Sequence, residues 1–261
     1  MNLLHALILG IVQGIAEFIP ISSSGFLILV PEIFSWEVQP LAFDTTVHLG
    51  TLTAVIIGLF PEVRQIFLGF FQRHPDVWGR LGWMIILATL PAIFVGFFAG
   101  DFIEIRTRSK EVVAVSFIIW GSVLYLADRF ANKCESTQVT EVSWKKSFII
   151  GCAQVIALIP GTSRSGITIT AGLFGKLSRE TATKFSFLLG IPAIFAAGMY
   201  QSLEVVRYGA DVGNLALVIG FFASFVSGLL TIQILLSFVK RYSYASLAIV
   251  RVFLGLLILV W

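Results

Sequence analysis

Two charged side chains stand inside apolar stretches of this chain. Glu17 lies in GIVQGIAEFIPISSSG, residues 10–25, and Arg164 lies in GCAQVIALIPGTSRSGITITAGLFG, residues 151–175. A charge among apolar residues is costly unless a polar or ionic group meets it, so each is a candidate functional residue. Arginine binds phosphate oxygens through two parallel hydrogen bonds, and a carboxylate can act as a general base or bind a divalent cation. The two residues together indicate chemistry on an anionic group.

Hydroxyl groups and glycines follow a proline at both places. They are Ser22, Ser23, Ser24 and Gly25 after Pro20, and Ser163, Ser165 and Gly166 after Pro160. A break of this kind before a helix presents backbone N–H groups, which together with the helix dipole attract an anion, phosphate above all. Thr168 lies one turn beyond Arg164 and adds a hydroxyl. The alternatives are that the serines only cap helices and that Glu17 and Arg164 form a structural ion pair.

Other polar residues are candidates for supporting roles. Gln13 lies four residues before Glu17, on the same helical face, where the two together could hold a metal ion. Asp44 and His48 are also one helical turn apart, and form either an edge of the site or a hydrogen-bonded pair at the level of the lipid headgroups. Arg251 lies in the last apolar stretch, where we expect it to form an ion pair or to snorkel towards the membrane surface.

The composition is that of a membrane protein. Of the 261 residues, 57% are hydrophobic and only 13% are charged, whereas a soluble domain has about 25% charged residues. The net charge of +3 suits anionic lipid headgroups and gives no case for nucleic-acid binding. The two cysteines, Cys134 in a polar loop and Cys152 in an apolar stretch, indicate neither a disulfide framework nor a metal cluster.

Apolar stretches predict an all-α integral membrane protein with about six transmembrane helices. About 20 residues are needed to cross the hydrocarbon core, and the predicted spans are 41–60, 81–100, 112–127, which is short, 185–201, 214–239 and 245–261. The connections at 61–80, 101–111, 128–146 and 202–213 are predicted as loops. The shorter stretches 3–19 with 26–34, and 147–159 with 167–175, predict two re-entrant helix pairs, because broken backbone at membrane depth must be covered by protein or water.

The chain repeats within a single membrane domain. Gln13 to Gly25 and Gln154 to Gly166 have equal spacing, and each half, about 1–128 and about 147–261, is a broken pair followed by three spans. An odd number of spans between the copies would invert the second copy, and inverted repeats with broken helices place a site at the repeat interface. Chance similarity between two Ser/Gly-rich breaks is the alternative. Lysine and arginine are spread evenly among the loops, so the orientation in the membrane is not predicted.

Three stretches resemble one known family. QGIAEFIPISSSG at 13–25, PGTSRSGITIT at 160–170 and LSRETATKFSFLLGIPAI at 177–194 are similar to the undecaprenyl-diphosphate phosphatase (bacitracin resistance) family, and the resemblance runs along the whole chain. It implies a membrane enzyme that removes the terminal phosphate of a C55 polyprenyl diphosphate. It also implies a divalent cation, Mg²⁺ or Ca²⁺, an inverted repeat, and a multi-pass protein of the bacterial cytoplasmic (inner) membrane whose site faces the outer side. A homodimer is a further expectation.

The resemblance assigns roles by position. The acidic motif falls on Gln13 and Glu17, the serine motif on Ser22 and Ser23, and the arginine motif on Ser163, Arg164 and Thr168. One departure is clear: the family usually has a histidine directly after the serine motif, and here that residue is Phe26. The chain is then a variant that uses another group, for which His48 is a candidate, or an altered or inactivated form, or the histidine is less essential than supposed.

Two classes of function fit these residues. The first is hydrolysis of a polyprenyl diphosphate, with Arg164 and the break amides on the phosphoryl oxygens, Glu17 as base or metal ligand, and either Ser22, Ser23 or water as the nucleophile. The second is a polyprenyl-phosphate flippase or ion-coupled transporter, since broken helices and inverted repeats are typical of transporters and translocation needs no proton-transfer group. A purely structural membrane subunit is disfavoured by the two charged breaks.

Overall fold

A computed structural model describes residues 1–72, 76–131, 138–208 and 213–261, and these residues are helical with no β-strand among them. The α-helices are α1 Leu3–Phe18, α2 Ser23–Ile33, α3 Leu41–Gly58, α4 Phe60–Phe70, α5 Val77–Thr107, α6 Lys110–Ala131, α7 Trp144–Gln154, α8 Arg164–Phe174, α9 Arg179–Tyr208, α10 Asn214–Val239 and α11 Ala245–Val260. Short 3₁₀ segments lie at Val139–Glu141 and Val155–Leu158. The predicted all-α architecture is confirmed. Cys134 lies outside the described residues, and Cys152 is a free, exposed thiol.

Within the described ranges, five helices are long and apolar enough to cross a membrane: α3, α5, α6, α9 and α10. They correspond to five of the predicted spans. The sixth, 245–261, is the 16-residue α11, which is apolar but shorter. The two predicted broken pairs are α1 with α2 and α7 with α8. Their re-entrant course and the inversion of the halves stay predictions.

Three of the predicted loops are largely helical in their described residues, and one of them is 202–213, where α9 continues to Tyr208. Residues 60–70 form α4, and α5 continues through the charged residues 101–107. Pro61 lies in the first turn of α4, where its missing N–H leaves no helical bond unmade. Val63, Ile66 and Phe70 recur at helical spacing, and the first two pack against the main core. The apolar period is short, and Glu62 and Arg64 beside it favoured the interpretation as a polar loop.

The helices of the two halves pack across each other in matching pairs. Helices α1 and α3 of the first half pack against α10 of the second half. In the same way, α7 and α9 of the second half pack against α5 of the first half. The last helices, α6 and α11, pack together. These pairings bring the breaks that follow α1 and α7 towards one another.

Small residues allow α1 and α10 to approach each other closely. A methyl group placed on Gly14 would lie 2.5 Å from the carbonyl oxygen of Ser224 and 2.7 Å from the backbone nitrogen of Gly228. Membrane helices use such small residues to bring their backbones together. The tight contact fixes α1 along its length, and therefore fixes Glu17 in its last turn.

Candidate active site

The two breaks have nearly the same geometry. Ser22 and Ser163 are the N-caps of α2 and α8, with φ of 78° and 70°, a backbone region that is unusual for residues other than glycine. In each break the cap hydroxyl accepts a hydrogen bond from a glycine N–H and lies 3.2 Å from the hydroxyl of the serine two residues later. This shared local geometry agrees with the predicted pairing of the two breaks, and the repeat itself stays a prediction. Strained backbone of this kind clusters at functional sites.

Glu17 and Arg164 meet between the breaks. Nη2 of Arg164 donates to Oε1 of Glu17 at 2.8 Å, and Nη1 donates to the backbone carbonyl of Ser186 at 3.1 Å. The Glu17 side chain is only 7% exposed. The predicted convergence of the two charges is confirmed, and it joins residues 147 positions apart in the chain.

Helix α9 makes room for the guanidinium at Gly190. A methyl group on Gly190 would lie 2.1 Å from Nη1 of Arg164 and 2.6 Å from its central carbon. The guanidinium thus lies directly against the α9 backbone. The position of Arg164 is set by a glycine as well as by its carboxylate partner.

The second carboxylate oxygen of Glu17 gathers three more side chains. Oε2 accepts hydrogen bonds from Ser23 Oγ at 2.6 Å and from Gln13 Nε2 at 3.0 Å. His48 Nε2 lies 3.9 Å from the same oxygen. Four of the residues predicted from the sequence therefore surround one carboxylate.

His48 is held in a defined orientation. Its Nδ1 lies 2.7 Å from the backbone carbonyl oxygen of Asp44. Because a carbonyl only accepts, Nδ1 carries the hydrogen in this contact, and the Nε2 that faces Glu17 is left to accept or release a proton. His48 is 24% exposed, so a substrate or water can reach it. Of the two alternatives for Asp44 and His48, the edge of the site is the one the structure favours.

A cavity of about 540 Å³ opens beside these groups. Its polar wall includes Glu17, Ser22, Ser23, Ser24, Asp44, His48, Ser163 and Arg164. Its apolar wall is formed largely by α5 and α9, where small residues such as Gly96, Ala193 and Ala197 leave space. The site therefore combines a charged end with a hydrophobic wall, which suits an amphiphile.

Four residues predicted to bind phosphate lie behind the cavity wall and do not line it: Gly25, Ser165, Gly166 and Thr168. The N–H groups of both glycines donate to the cap serines. The hydroxyl of Thr168 donates to the carbonyl of Arg164 at 2.8 Å and lies 2.7 Å from the hydroxyl of Ser186. These groups shape the breaks, because their hydrogen-bonding capacity is used locally.

Phe26 faces away from the site. Its ring packs 5.9 Å from that of Phe117, in an apolar cluster with Leu29 and Val113. The position that carries a histidine in the family pattern is therefore part of the core in this chain. His48 is the histidine that lines the cavity.

Arg251 of α11 has a role that the sequence did not predict. It neither snorkels nor appears in an ion pair among the described residues, and it is fully buried. Its Nη1 donates to the carbonyl of Pro20 at 3.1 Å, and its Nη2 donates to the carbonyls of Gly161 and Thr162 at 2.6 and 2.5 Å. One guanidinium thus ties the first break to the second. The only signal in the sequence was a charge in an apolar stretch.

The residues present fit a divalent cation in part. The described residues contain no group of three His, Cys, Asp or Glu side chains placed to hold a metal ion. Glu17 supplies one carboxylate, and Oε1 of Gln13 is a buried oxygen without a hydrogen-bond partner. Mg²⁺ often takes only one or two protein carboxylates and completes its shell with substrate phosphates and water. The pair suits a cation bound together with a phosphorylated substrate.

Comparison with known proteins gives full-length matches. A family model described as bacitracin resistance protein BacA matches residues 6–257. Undecaprenyl-diphosphatase of Teredinibacter turnerae is 44% identical and that of Chromohalobacter salexigens 40% identical. Undecaprenyl-diphosphatase 1 of Pseudoalteromonas translucida is 41% identical. Each alignment covers 100% of this chain and 99% of the relative.

Proposed function

The chain belongs to the bacitracin resistance protein BacA family, and on that premise we propose that it hydrolyses undecaprenyl diphosphate to the monophosphate and inorganic phosphate. This reaction recycles the lipid carrier of cell-wall synthesis and confers resistance to bacitracin. The observation that carries the proposal is the buried pair of Glu17 and Arg164, 2.8 Å apart, at the polar end of a cavity with an apolar wall.

Arg164 stabilises the diphosphate in this proposal. In-line phosphoryl transfer needs fixed positive charge and donors around the phosphoryl oxygens, and little else from the protein. The guanidinium is fixed by Glu17, by the Ser186 carbonyl and by the α9 backbone at Gly190. Ser24 and Ser163, which also line the cavity, add hydroxyl groups.

Among the serines, Ser23 suits the nucleophile better than Ser22. Ser22 is nearly fully buried and its hydroxyl caps α2, whereas Ser23 is partly exposed and donates to Glu17 at 2.6 Å. If Ser23 attacks, its Oγ bonds to the terminal phosphorus as the bond to the monophosphate breaks, and water then releases the phosphate. If water attacks, Glu17 and Ser23 orient it. In both routes Glu17 or Nε2 of His48 accepts the proton.

A divalent cation, Mg²⁺ or Ca²⁺, completes the proposed site. Glu17 and Gln13 would hold it, and it would neutralise charge on the phosphate oxygens. Because Glu17 also pairs with Arg164, the carboxylate would balance the charge of the cation as well as that of the guanidinium.

The apolar wall gives the lipid its place. The first isoprene units would lie along α5 and α9 beside Gly96 and Ala197, with the remaining tail in the bilayer. We place the protein, a multi-pass membrane protein, in the bacterial cytoplasmic (inner) membrane with the site facing the outer side, and we propose a homodimer. Lipid and membrane are its partners, and nucleic acid is not.

Phosphate release distinguishes hydrolysis from transport. Purified protein in detergent is expected to release inorganic phosphate from a C55 polyprenyl diphosphate, because the site offers both a proton acceptor and phosphoryl ligands. The same protein in vesicles is tested for translocation of a labelled polyprenyl phosphate. Translocation without any phosphate release would favour the flippase and contradict the proposal.

Removal of divalent cations is expected to stop turnover. Incubation with EDTA should lower phosphate release at least about 100-fold, since neutralisation of phosphate charge by a metal contributes several kcal/mol to such reactions. Addition of Mg²⁺ or Ca²⁺ in excess should restore the rate. Full activity in EDTA, after dialysis against metal-free buffer, would show that the reaction at Glu17 and Gln13 needs no cation.

Replacement of His48 tests the substitute for the family histidine. H48Q is expected to lower kcat about 100-fold, as loss of a general acid–base does. H5Q is the matched control, because His5 stacks on Trp36 at 3.8 Å and does not line the cavity. F26H added to H48Q is not expected to restore activity, since residue 26 faces Phe117. A kcat of H48Q equal to that of wild type would exclude His48 from proton transfer.

A further inference from the structure

Gln154 is a buried amide without a partner in the cavity wall. The residue is 3% exposed and lines the same cavity as Glu17 and Arg164. Neither Nε2 nor Oε1 of its side chain has a hydrogen-bond partner. Buried polar groups in folded proteins are almost always bonded, so one that lacks both bonds calls for a ligand or bound water.

The internal repeat shows what this glutamine lacks. Gln13 and Gln154 occupy equivalent places, each twelve residues before the glycine of its break. Gln13 donates to Glu17, four residues later on the same face. The residue four positions after Gln154 is Leu158, which offers no acceptor. The second glutamine therefore has the position of the first without its partner.

The local backbone also differs between the halves. Helix α1 continues without interruption past Gln13 to Phe18, whereas α7 ends at Gln154 and the chain tightens into the 3₁₀ segment Val155–Leu158. A 3₁₀ stretch at this point changes the direction in which the following side chains project, and such segments often mark functional positions. Gln154, which directly precedes the segment, and Leu158, which ends it, both line the cavity.

We propose that Gln154 is a ligand of the substrate's diphosphate group, donating from its amide nitrogen to a phosphate oxygen in the cavity that Glu17 also lines. The inference rests on the proposed function, and it assigns the second half a polar ligand besides Arg164 and Ser163. A diphosphate presents several charged acceptor oxygens, and a primary amide offers two donors. Among the described residues, Gln154 is a buried side chain of the cavity wall with neither a donor nor an acceptor bond, and bound substrate would supply an acceptor for its N–H groups.

The test compares Q154L with wild type in phosphate release and in thermal unfolding, with and without inorganic pyrophosphate. Q154L is expected to lower kcat/KM about 10- to 100-fold, the range for one hydrogen bond to a charged group. Its Tm without pyrophosphate should equal or exceed that of wild type, because an unbonded buried amide is replaced by an apolar group of similar size. Stabilisation by pyrophosphate should be reduced. Q233L, at an exposed glutamine of α10, is the matched control.

Other outcomes decide against the proposal. Kinetics of Q154L within twofold of wild type would overturn it, and so would a fall in Tm that parallels the loss of activity, since both indicate a structural amide held by bound water. Q154M is the second variant should Q154L fail to fold, and failure of both would overturn the proposal equally. If wild type hydrolyses the diphosphate and Q154L does so at the same rate, only the role of Gln154 is contradicted. Wild type that neither hydrolyses it nor responds to pyrophosphate contradicts the proposed function as well.

Discussion

Alanine in place of Arg164 is expected to lower kcat by at least about 10³-fold, the scale on which an arginine that stabilises transferring phosphoryl groups acts. The guanidinium is the fixed positive charge that lines the cavity beside Glu17. Its loss also leaves the Glu17 carboxylate buried without its 2.8 Å partner, so negative charge would then face the diphosphate. Phosphate release from a C55 diphosphate in detergent measures the effect.

The variants R164K and R80A test whether the loss of activity is specific to the guanidinium of Arg164. Lysine keeps the charge but cannot bond Glu17 and the Ser186 carbonyl through a planar fork, so R164K should recover only a small part of the activity. R80A, at an exposed arginine of α5, should behave as wild type. Turnover of R164A within tenfold of wild type would show that the pair with Glu17 is only a structural tie.

Methionine in place of Arg251 is expected to reduce both stability and turnover. Three backbone carbonyls, those of Pro20, Gly161 and Thr162, would lose a buried donor. At about 1 kcal/mol or more for each unsatisfied group, the free energy of unfolding should fall by about 3 kcal/mol. Turnover should fall with it, because the same bonds hold the two breaks next to each other.

Thermal unfolding in detergent and phosphate release, measured on the same preparations, test this expectation. R241M provides the control, because Arg241 is exposed in the turn before α11. A variant R251M with wild-type Tm and no activity would mean that Arg251 acts on the substrate. A variant with both properties of wild type would mean that the breaks are held together by other contacts.

Sequence reasoning found the centre of the site because its residues violate local rules. Glu17 and Arg164 are charges in apolar stretches, and hydroxyl-rich breaks interrupt helices that would otherwise continue. Their meeting could be predicted because an unpaired charge at membrane depth needs a partner. The helix α4 was missed because its 11 residues are too few to cross a membrane and because Glu62 and Arg64 lie in its first half.

The limits of the site could not be predicted in the same way. Serine and glycine at a helix start serve equally for capping and for anion binding, so Ser165 and Gly166 looked like phosphate ligands although their groups are used within the break. The contact of Arg251 with Pro20 spans 231 residues, and the approach of His48 to Glu17 depends on how α3 packs beside α1. Only tertiary packing determines such distances.

Gly190 has no side chain that could take part in the reaction, yet a substitution at this residue is expected to inactivate the enzyme. Alanine adds one carbon and no charge and is favoured in helices, so helix propensity and charge alone would predict that G190A is neutral. Yet that carbon would occupy the space of the Arg164 guanidinium. Inactivating alleles of this protein should therefore arise on α9 through crowding, with every charged and hydroxyl-bearing residue intact.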